Sequence, residues 1–322
     1  MEEEIKKPEL KVELHPRNLH REEYDFQALV KVTPGLKEYI SQNEHGNDSI
    51  DFFNYEAVKT LNRALLKLHY KINYWDIPDG YLCPPVPGRA DYIHHIADLI
   101  GERMNFKTKI KVPRGSDIKC LDIGVGANCI YPLIGHQTYG WSFIGSDIDS
   151  VSVESASDII MKNELIASEI EIRKQSDPSR IFVGIFKADE VIDITICNPP
   201  FHESVDEARA ATTRKNKNLG HKEESTLNFG GKENELWCDG GELQFINQMI
   251  EESETYKTSC YWFTTLVSKE TNIPKLQALL ESKEITDQRV IPMAQGNKQS
   301  RILCWSYLTD KQRKAWEAYR FN

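Results

Sequence analysis

The stretch LDIGVGANC, residues 121–129, joins a short apolar run to a segment with a helical pattern. Gly124 and Gly126 allow a tight turn and a close approach of a ligand to the backbone, and the following helix offers free N–H groups. This order of elements is typical of a nucleotide-binding α/β sheet. A dinucleotide fingerprint has its third glycine where this chain has Cys129. The loop therefore predicts an α/β fold and leaves the cofactor open.

The chain after about Asp117 alternates short β-branched runs with helical patterns, which predicts a doubly wound, mostly parallel sheet. The predicted strands are residues 118–123, 141–146, 170–174, 192–197, 259–266, 286–291 and 302–308. Besides the helix after the glycine loop, the predicted helices of this part are residues 151–163, 242–254 and 273–282. A hairpin-like turn at 294–297 indicates that the last strand enters as part of an antiparallel edge pair.

The first part of the chain has a different pattern. Amphipathic helical stretches cover residues 22–32, 55–70 and 91–104, and the rigid connector IPDGYLCPPVPGR lies between the last two. We therefore expect a mainly helical N-terminal module, residues 1–108, packed on a sheet domain, residues 109–322. The segment KTKIKVPRGS, residues 107–116, has the most linker-like composition at this join.

The composition excludes several classes of protein. With 40% hydrophobic and 28% charged residues, the chain is typical of a soluble globular protein. No apolar stretch approaches the ~20 residues of a membrane span, and the start MEEEIKKPELK resembles neither a signal peptide nor a transit peptide. The seven cysteines are scattered without a CxxC pair, which favours buried reduced thiols. We expect a cytoplasmic protein with no metal site and no membrane partner.

The net charge of −9 argues against a general nucleic-acid binder, because such proteins usually gain affinity by neutralising phosphates. One segment departs from this average. Residues 209–222, RAATTRKNKNLGHK, carry Arg209, Arg214, Lys215 and Lys217 with no acidic residue among them. The segment is either a solvated charge run or an RNA contact, and its place shortly after the motif described next favours RNA.

The motif CNPPF, residues 197–201, follows a predicted buried strand. Proline donates no ladder hydrogen bond, so Pro199 and Pro200 predict a stiff loop at the strand end. The alternative is a rigid turn without chemistry. The Asn198 amide oxygen and the Pro199 carbonyl are two acceptors that suit the two hydrogens of an amine on a planar ring, and Phe201 is placed to stack on that ring. The motif therefore predicts transfer of a methyl group to such a nitrogen.

Acidic residues lie at or near the ends of the first two strands of the predicted sheet. Asp122 lies in the first strand, where a carboxylate suits the ammonium group of S-adenosylmethionine, and Asp147 in GSDID is placed to bind ribose hydroxyls. Asp149 is the alternative ribose ligand, or the cap of the next helix. Ligands bind beyond the carboxyl ends of the strands in open α/β sheets, so we expect Gly124, Asp147 and Asn198 to face one crevice.

The chain resembles the bacterial 23S ribosomal RNA adenine-N6 methyltransferase family called ribosomal RNA large subunit methyltransferase F. A eukaryotic methyltransferase-like branch that acts on RNA hairpins is a more distant relative. The strings that carry the resemblance are HPRN (15–18), WDIPDGYLCPPVPGRADYIHH (75–95), LDIGVGANCIYPLIG (121–135), CNPPFH (197–202), LNFGG (227–231), ELWCDGGE (235–242) and MAQGNKQSR (293–301). They extend over nearly the whole chain.

The resemblance implies an S-adenosylmethionine-dependent enzyme that methylates N6 of one adenine in large-subunit ribosomal RNA. It also implies a Rossmann-like class I methyltransferase core and an RNA-binding N-terminal module. Carried onto this chain, Arg89 contacts the methionine carboxylate, Gly124 the cofactor through its backbone, and Asp147 the ribose. Asn198 contacts both the cofactor and the target amine. The alternative for Arg89 is a structural salt bridge.

Other residues have two interpretations each. His15, Arg17 and Asn18 either contact the RNA backbone or anchor the N-terminal arm. His94 and His95 are expected to be a partly buried structural pair. Trp237 either stacks on RNA or belongs to the core.

Three rival functions remain at this point. A planar glutamine amide also fits between an asparagine and a phenylalanine, so methylation of a translation factor is the nearest rival. A non-catalytic RNA-binding protein and an NAD-dependent oxidoreductase are the others. The basic segment and the N-terminal module favour RNA methylation.

Overall fold

The computed structural model describes residues 13–43, 46–102, 111–201, 235, 237–295 and 298–321. Its centre is a seven-stranded sheet, and a separate two-stranded hairpin lies in the N-terminal part. Among the described residues, every helix is too short or too polar to cross a membrane.

The strands of the sheet follow the predicted order and type. The hairpin strands are β1 (Ile40–Gln42) and β2 (Asp48–Ile50); the sheet strands are β3 (Lys119–Ile123), β4 (Ser142–Asp147), β5 (Ile170–Lys174), β6 (Ile192–Cys197), β7 (Cys260–Val267), β8 (Asp287–Gln295) and β9 (Lys298–Ser306). Their order in space is β5-β4-β3-β6-β7-β9-β8. The five strands from β5 to β7 are parallel, and β9 inserts antiparallel between β7 and β8. This confirms the doubly wound sheet with an antiparallel edge pair.

The helices lie before, between and after these strands. Their bounds are α1 (Phe26–Val32), α2 (Tyr55–Tyr70), α3 (Val86–Gly101), α4 (Ile130–Tyr139), α5 (Ser150–Met161), α6 (Gly241–Ser253), α7 (Ile273–Glu281) and α8 (Asp310–Arg320). Helix α3 starts earlier than the sequence pattern predicts, and its first turn includes Pro87. Proline is tolerated there because the N–H groups of the first helical turn have no partner within the helix.

Helix α8 is absent from the predictions above, because its polar sequence has few apolar residues to mark a helical period. The capping box of Thr309 and Gln312 starts the helix. Its far end is fixed by the buried Asp193 of β6, which accepts hydrogen bonds from Trp316 Nε1 at 2.6 Å and Arg320 Nε at 2.8 Å. These partners are distant in sequence, so a local pattern does not show them.

The two faces of the sheet are covered by different helices. One hydrophobic cluster joins the N-terminal helices to the sheet, with Leu61, Trp75 and Ile93 in the same cluster as Phe143 and Ile194. A second cluster contains sheet residues together with α6 and α7. All residues of β6 and β7 are buried, as expected for central strands that are covered on both faces.

The predicted boundary at residue 108 lies in the segment 103–110, outside the described residues. The shared cluster shows that the N-terminal helices pack directly on the sheet.

Candidate active site

A cavity of about 340 Å³ opens where β3, β4 and β6 end. It is lined by the predicted site residues Arg89, Gly124, Gly126, Asp147, Asn198, Pro199 and Pro200. The parallel strands bring the glycine loop, Asp147 and the residues after β6 to one edge of the sheet, and helix α3 adds Arg89 from more than 100 positions before Asn198. The predicted common crevice is therefore present.

The glycine loop follows β3 with left-handed backbone angles. The φ angle is 72° at Gly124 and 64° at Gly126, a region that favours glycine. The N–H groups of Gly124 and Val125 donate to the carbonyl of Ser146, each at 2.9 Å. A side-chain carbon at Gly126 would lie 3.1 Å from the amide nitrogen of Asn128. The loop thus keeps its backbone open toward the cavity because both positions are glycine.

Asp147, the last residue of β4, fixes this loop. Its carboxylate accepts hydrogen bonds from the N–H of Gly126 and the N–H of Asp149, each at 2.9 Å. Burial raises the pKa of Asp147, and these N–H groups act against that rise. A carboxylate oxygen accepts more than one hydrogen bond, so the group can shape the loop and still accept from a ligand hydroxyl.

Asp149 has a different role. Its side chain caps α5 by accepting from the N–H of Ser152 at 2.9 Å, and it also accepts from the Tyr81 hydroxyl at 2.8 Å. The capping interpretation of Asp149 is thereby confirmed. The bond to Tyr81 also ties the connector of the N-terminal part to the rim of the cavity.

Asp122 is fully buried in β3 and is not among the residues that line the cavity, although the next residue, Ile123, is. Among the described residues, neither of its carboxylate oxygens has a hydrogen-bond partner. Burial raises the pKa of Asp122 well above its usual range, and the positive charge of Arg89 opposes this rise. An unpaired buried carboxylate is unfavourable, so the site is suited to a cationic group from a ligand.

Arg89 lies in the first turns of α3 and lines the cavity. Its Nη1 donates to the Tyr131 hydroxyl at 2.9 Å, and its guanidinium lies 5.4 Å from the centre of the Tyr131 ring. Within the described part of the chain, no carboxylate forms an ion pair with it at 4.0 Å or less. The salt-bridge alternative has no partner there, and the remaining donors suit a ligand carboxylate.

The CNPPF motif forms the exit of β6. Asn198, Pro199 and Pro200 line the cavity, and the buried amide oxygen of Asn198 has no hydrogen-bond partner among the described residues. Phe201 follows as a half-buried residue and is not among the residues that line the cavity. The site thus presents a free acceptor at the strand end, as the motif predicts.

Known proteins are similar to this chain in sequence and in fold. A family model described as RNA methyltransferase matches residues 8–309. The chain belongs to this RNA methyltransferase family. The ribosomal RNA large subunit methyltransferase F of Cytophaga hutchinsonii is 52% identical over 317 residues, which is 98% of this chain and 97% of the relative. The protein of the same name from Pseudomonas aeruginosa is 50% identical over 96% of this chain and 92% of its own length.

Solved structures with a similar fold come from human METTL16. The human METTL16 catalytic domain in complex with the MAT2A 3′UTR hairpin 1 matches with a TM-score of 0.78 and 28% identity, over 92% of this chain and 96% of that one. The N-terminal domain of human METTL16 in complex with SAH matches with a TM-score of 0.71 and 27% identity, over 92% and 99% of the two chains. The protein therefore has the Rossmann-like class I methyltransferase fold and is an RNA methyltransferase.

The sequence patterns do not single out every residue that lines the cavity. Glu235 lines it and accepts a hydrogen bond from the N–H of Leu82 at 3.0 Å. Gln175 lines it too, just beyond β5. Trp237, which has two interpretations from the sequence, also lines the cavity and is half-buried. Glu235 belongs to ELWCDGGE, one of the strings that carry the family resemblance, and this string could have indicated it. Its contact with Leu82, 153 positions away, leaves no local pattern in the sequence.

The predicted residues of the N-terminal arm are anchored within the fold of this methyltransferase. Arg17 donates through Nη2 to Asp98 at 2.6 Å and through Nε to the Tyr139 hydroxyl at 3.0 Å. His15 pairs with the other oxygen of Asp98 at 2.9 Å. Asn18 Nδ2 donates to Asp91 at 3.0 Å. These contacts support the anchoring interpretation and leave an RNA contact of Arg17 as a prediction.

The paired histidines of α3 are structural in this family member. His94 is buried and bonded through Nδ1 to the Tyr139 hydroxyl at 2.7 Å. His95 lies 3.4 Å from the buried Asp91. The basic residues Arg209, Arg214, Lys215 and Lys217 lie outside the described residues, so their predicted contact with RNA stays a prediction.

Proposed function

We propose that this protein transfers a methyl group from S-adenosylmethionine to N6 of a specific adenine in large-subunit (23S) ribosomal RNA. The observation that carries the proposal is the free, buried amide oxygen of Asn198 at the edge of the cavity that Gly124 and Asp147 also line. The names of the bacterial relatives support ribosomal RNA as the substrate.

The residues present fit the cofactor. Asp122 offers an unpaired buried carboxylate for an ammonium group, and Arg89 has guanidinium donors for a carboxylate. Asp147 would accept from the ribose hydroxyls, and the open backbone of Gly124 and Gly126 would lie against the ligand. The complex of the METTL16 domain with SAH, the demethylated product of the cofactor, supports this assignment. When bound, S-adenosylmethionine supplies an electrophilic methyl group.

The chain's own contribution to the reaction is orientation. The lone pair of an adenine amine is delocalised into the ring, which makes the nitrogen a poor nucleophile. The Asn198 side-chain oxygen and the Pro199 carbonyl would accept the two amine hydrogens and leave the lone pair directed at the methyl carbon. The two prolines hold these acceptors in a fixed relation, and Phe201 would stack on the base. A base held in this way must first leave any helix it belongs to.

RNA binding is assigned to two parts of the chain. The N-terminal module, residues 1–108, would hold the RNA with Arg17. The segment that contains Arg209, Arg214, Lys215 and Lys217, which follows the CNPPF motif in the sequence, would supply positive charge. The complexes of METTL16 with RNA hairpins support a structured RNA substrate. A ribosomal RNA substrate implies a cytoplasmic site of action.

The proposal is tested by methyl transfer to ribosomal RNA isolated from cells that lack the protein. Labelled S-adenosylmethionine is supplied with the wild-type protein, with Asn198→Ala and with Asn73→Ala, an exposed asparagine outside the cavity. We expect transfer by the wild type and by Asn73→Ala, and a loss of about 100-fold or more with Asn198→Ala, in the range seen for lost transition-state hydrogen bonds. An active Asn198→Ala variant contradicts the assigned site, and methyl transfer to a translation factor instead of RNA contradicts the substrate.

A further inference from the structure

The backbone pairing between β6 and β7 ends before the last residues of β6. Their residue pairs are Ile192 with Cys260 and Ile194 with Trp262, whereas the pairing of β6 with β3 continues to Cys197. The carboxyl end of β6, which carries Asn198, is therefore supported by backbone pairing on one side only.

The hydroxyl of Tyr92 lies between the two strands, beyond the point where their pairing ends. Tyr92 belongs to α3 of the N-terminal part and is fully buried. Its oxygen lies 2.8 Å from Thr264 Oγ1 of β7 and accepts a weak hydrogen bond from the N–H of Cys197 at 3.5 Å, longer than the usual N–H···O distance. A side chain from a helix thus bridges two strands where their ladder ends.

The direction of these hydrogen bonds follows from their partners. Thr264 Oγ1 donates to the carbonyl of Thr195 at 2.6 Å, which uses its only hydrogen. Tyr92 must therefore donate to Thr264, and its lone pairs are left for an N–H donor. Backbone groups two residues apart point to the same side of a strand, so the N–H of Cys197 faces β7 just as the carbonyl of Thr195 does.

Tyr92 lies between two parts of the proposed site: the strand end that carries Asn198, and the cavity residue Arg89 with its partner Tyr131. Arg89 precedes it by one helical turn on α3 and lines the cavity. The Tyr131 ring, whose hydroxyl accepts from Arg89, packs edge-on against the Tyr92 ring with 5.4 Å between centroids. A ring held this tightly keeps its hydroxyl in one place.

We infer that Tyr92 is a positioning residue: its hydroxyl fixes the backbone at Cys197 and thereby the direction of the Asn198 acceptor that follows. The effect on catalysis rests on the proposed methyltransferase function, and the effect on the Cys197 backbone does not. The opposing interpretation is that Tyr92 only fills the core. Tyr92→Phe separates the two, because phenylalanine keeps the ring and removes the hydroxyl.

The first measurement is amide hydrogen exchange at Cys197 in protein labelled with 15N-cysteine. Loss of the acceptor should make exchange at Cys197 at least tenfold faster in Tyr92→Phe, while the amides of the buried Cys83 and Cys129 are unchanged. The signal of Cys197 is assigned by its loss in Cys197→Ala. Unchanged exchange at Cys197 overturns the inference whether or not the protein proves to be an adenine methyltransferase.

The second measurement is the steady-state rate on ribosomal RNA together with the Kd of S-adenosylmethionine. We expect kcat of Tyr92→Phe to fall at least tenfold while the Kd stays within twofold, because Arg89 and Asp147 keep their contacts. Tyr261→Phe is the matched control: it removes a hydroxyl from another fully buried tyrosine, one bonded to Glu317 away from the cavity. It should leave kcat and Cys197 exchange unchanged.

Thr264→Val provides a second route if Tyr92→Phe folds poorly. It removes the acceptor of the Tyr92 hydroxyl and also the donor to the Thr195 carbonyl, with little change of shape, and it should lower kcat and speed exchange at Cys197 in the same direction. A kcat within twofold of wild type in variants with faster Cys197 exchange overturns the catalytic part of the inference. Absence of adenine methylation by the wild type contradicts the proposed function and leaves the exchange result to decide the role of Tyr92.

Discussion

At the scale of single residues, two buried acceptors define the site. Asp122 and the amide oxygen of Asn198 have no hydrogen-bond partner within the described ranges, although buried polar groups in proteins are nearly always paired. Asn198 lines the cavity directly after β6, and Asp122 lies inside β3, one residue before the lining residue Ile123. Groups that are unfavourable in the free protein and favourable with a ligand are expected where a protein binds that ligand.

Asp122 gives a prediction about pH and stability. Because burial raises its pKa, the folded protein keeps a proton on this carboxyl that the unfolded chain releases above about pH 4. The contribution of Asp122 to the free energy of unfolding therefore falls as pH rises from that value. Asp122→Asn removes this loss, so the difference in Tm between variant and wild type should move in favour of the variant from pH 5 to pH 8. Scanning calorimetry at several pH values measures it, and a constant difference would contradict the prediction.

The same carboxyl gives a prediction about ligand affinity. An ammonium group beside Asp122 favours the charged carboxylate, so binding of S-adenosylmethionine should release protons and tighten as pH rises. Asp122→Asn should bind about tenfold or more weakly and without this pH dependence. Titration calorimetry in buffers of different ionisation enthalpy measures both effects. Asp158→Asn, which changes an exposed carboxylate on α5, is the control and should match the wild type.

At the scale of elements, helix α6 braces two loops, and one of them lines the cavity. Near its start, the buried Glu242 accepts from the N–H groups of Ser268 and Lys269 after β7. Near its end, Glu252 accepts from three consecutive N–H groups at residues 181–183, at 2.9 to 3.3 Å. Since Ile181 lines the cavity, the helix sets part of the cavity wall through Glu252.

Glu252 allows this bracing to be measured. Glu252→Ala leaves three backbone N–H groups without their acceptor and should lower the free energy of unfolding by roughly 2–4 kcal/mol. Glu252→Gln keeps one side-chain oxygen for the same groups, because a single oxygen accepts all three bonds, and should lose about half of that or less. Urea unfolding of both variants tests the difference. Equal losses would show that the charge of Glu252 matters and the acceptor does not.

The elements also show where sequence patterns are sufficient. Strands β3, β5 and β6 fall within one residue of their predicted bounds. For the buried strands β3 and β6 the local signal is a dense apolar run, and for the partly exposed β5 it is the alternation of isoleucine with charged residues. The glycine loop and CNPPF were found because their residue types are unusual at strand ends. Tyr92 carried no such signal, since a buried aromatic residue on a helix is common. Its role depends on Thr264, 172 positions away.

At the scale of the whole molecule, the N-terminal helices and the sheet share one core. Ile93 of α3 is fully buried in the cluster that also contains Phe143 and Ile194 of the sheet. The same helix supplies Arg89 to the cavity and Tyr92 to the strand ends. The N-terminal part is therefore structural support for the site as well as the proposed RNA-binding module.

A shared core predicts cooperative unfolding of the full chain. Far-UV circular dichroism and tryptophan fluorescence should report the same urea midpoint. Ile93→Ala should shift both midpoints together, with a loss of about 2–5 kcal/mol. Two separate transitions, with only one of them moved by Ile93→Ala, would show that the N-terminal part and the sheet unfold independently.

The central claim is that Asn198 directs methyl transfer to the exocyclic nitrogen of adenine in ribosomal RNA. The most direct measurement is mass spectrometry of nucleosides from 23S ribosomal RNA of cells lacking the protein, after reaction with S-adenosylmethionine and either wild type or Asn198→Ala. We predict N6-methyladenosine with the wild type at one position of the RNA, and none above background with Asn198→Ala. A methyl group on a ring nitrogen, on another base or on ribose, or N6-methyladenosine formed equally by Asn198→Ala, would contradict it.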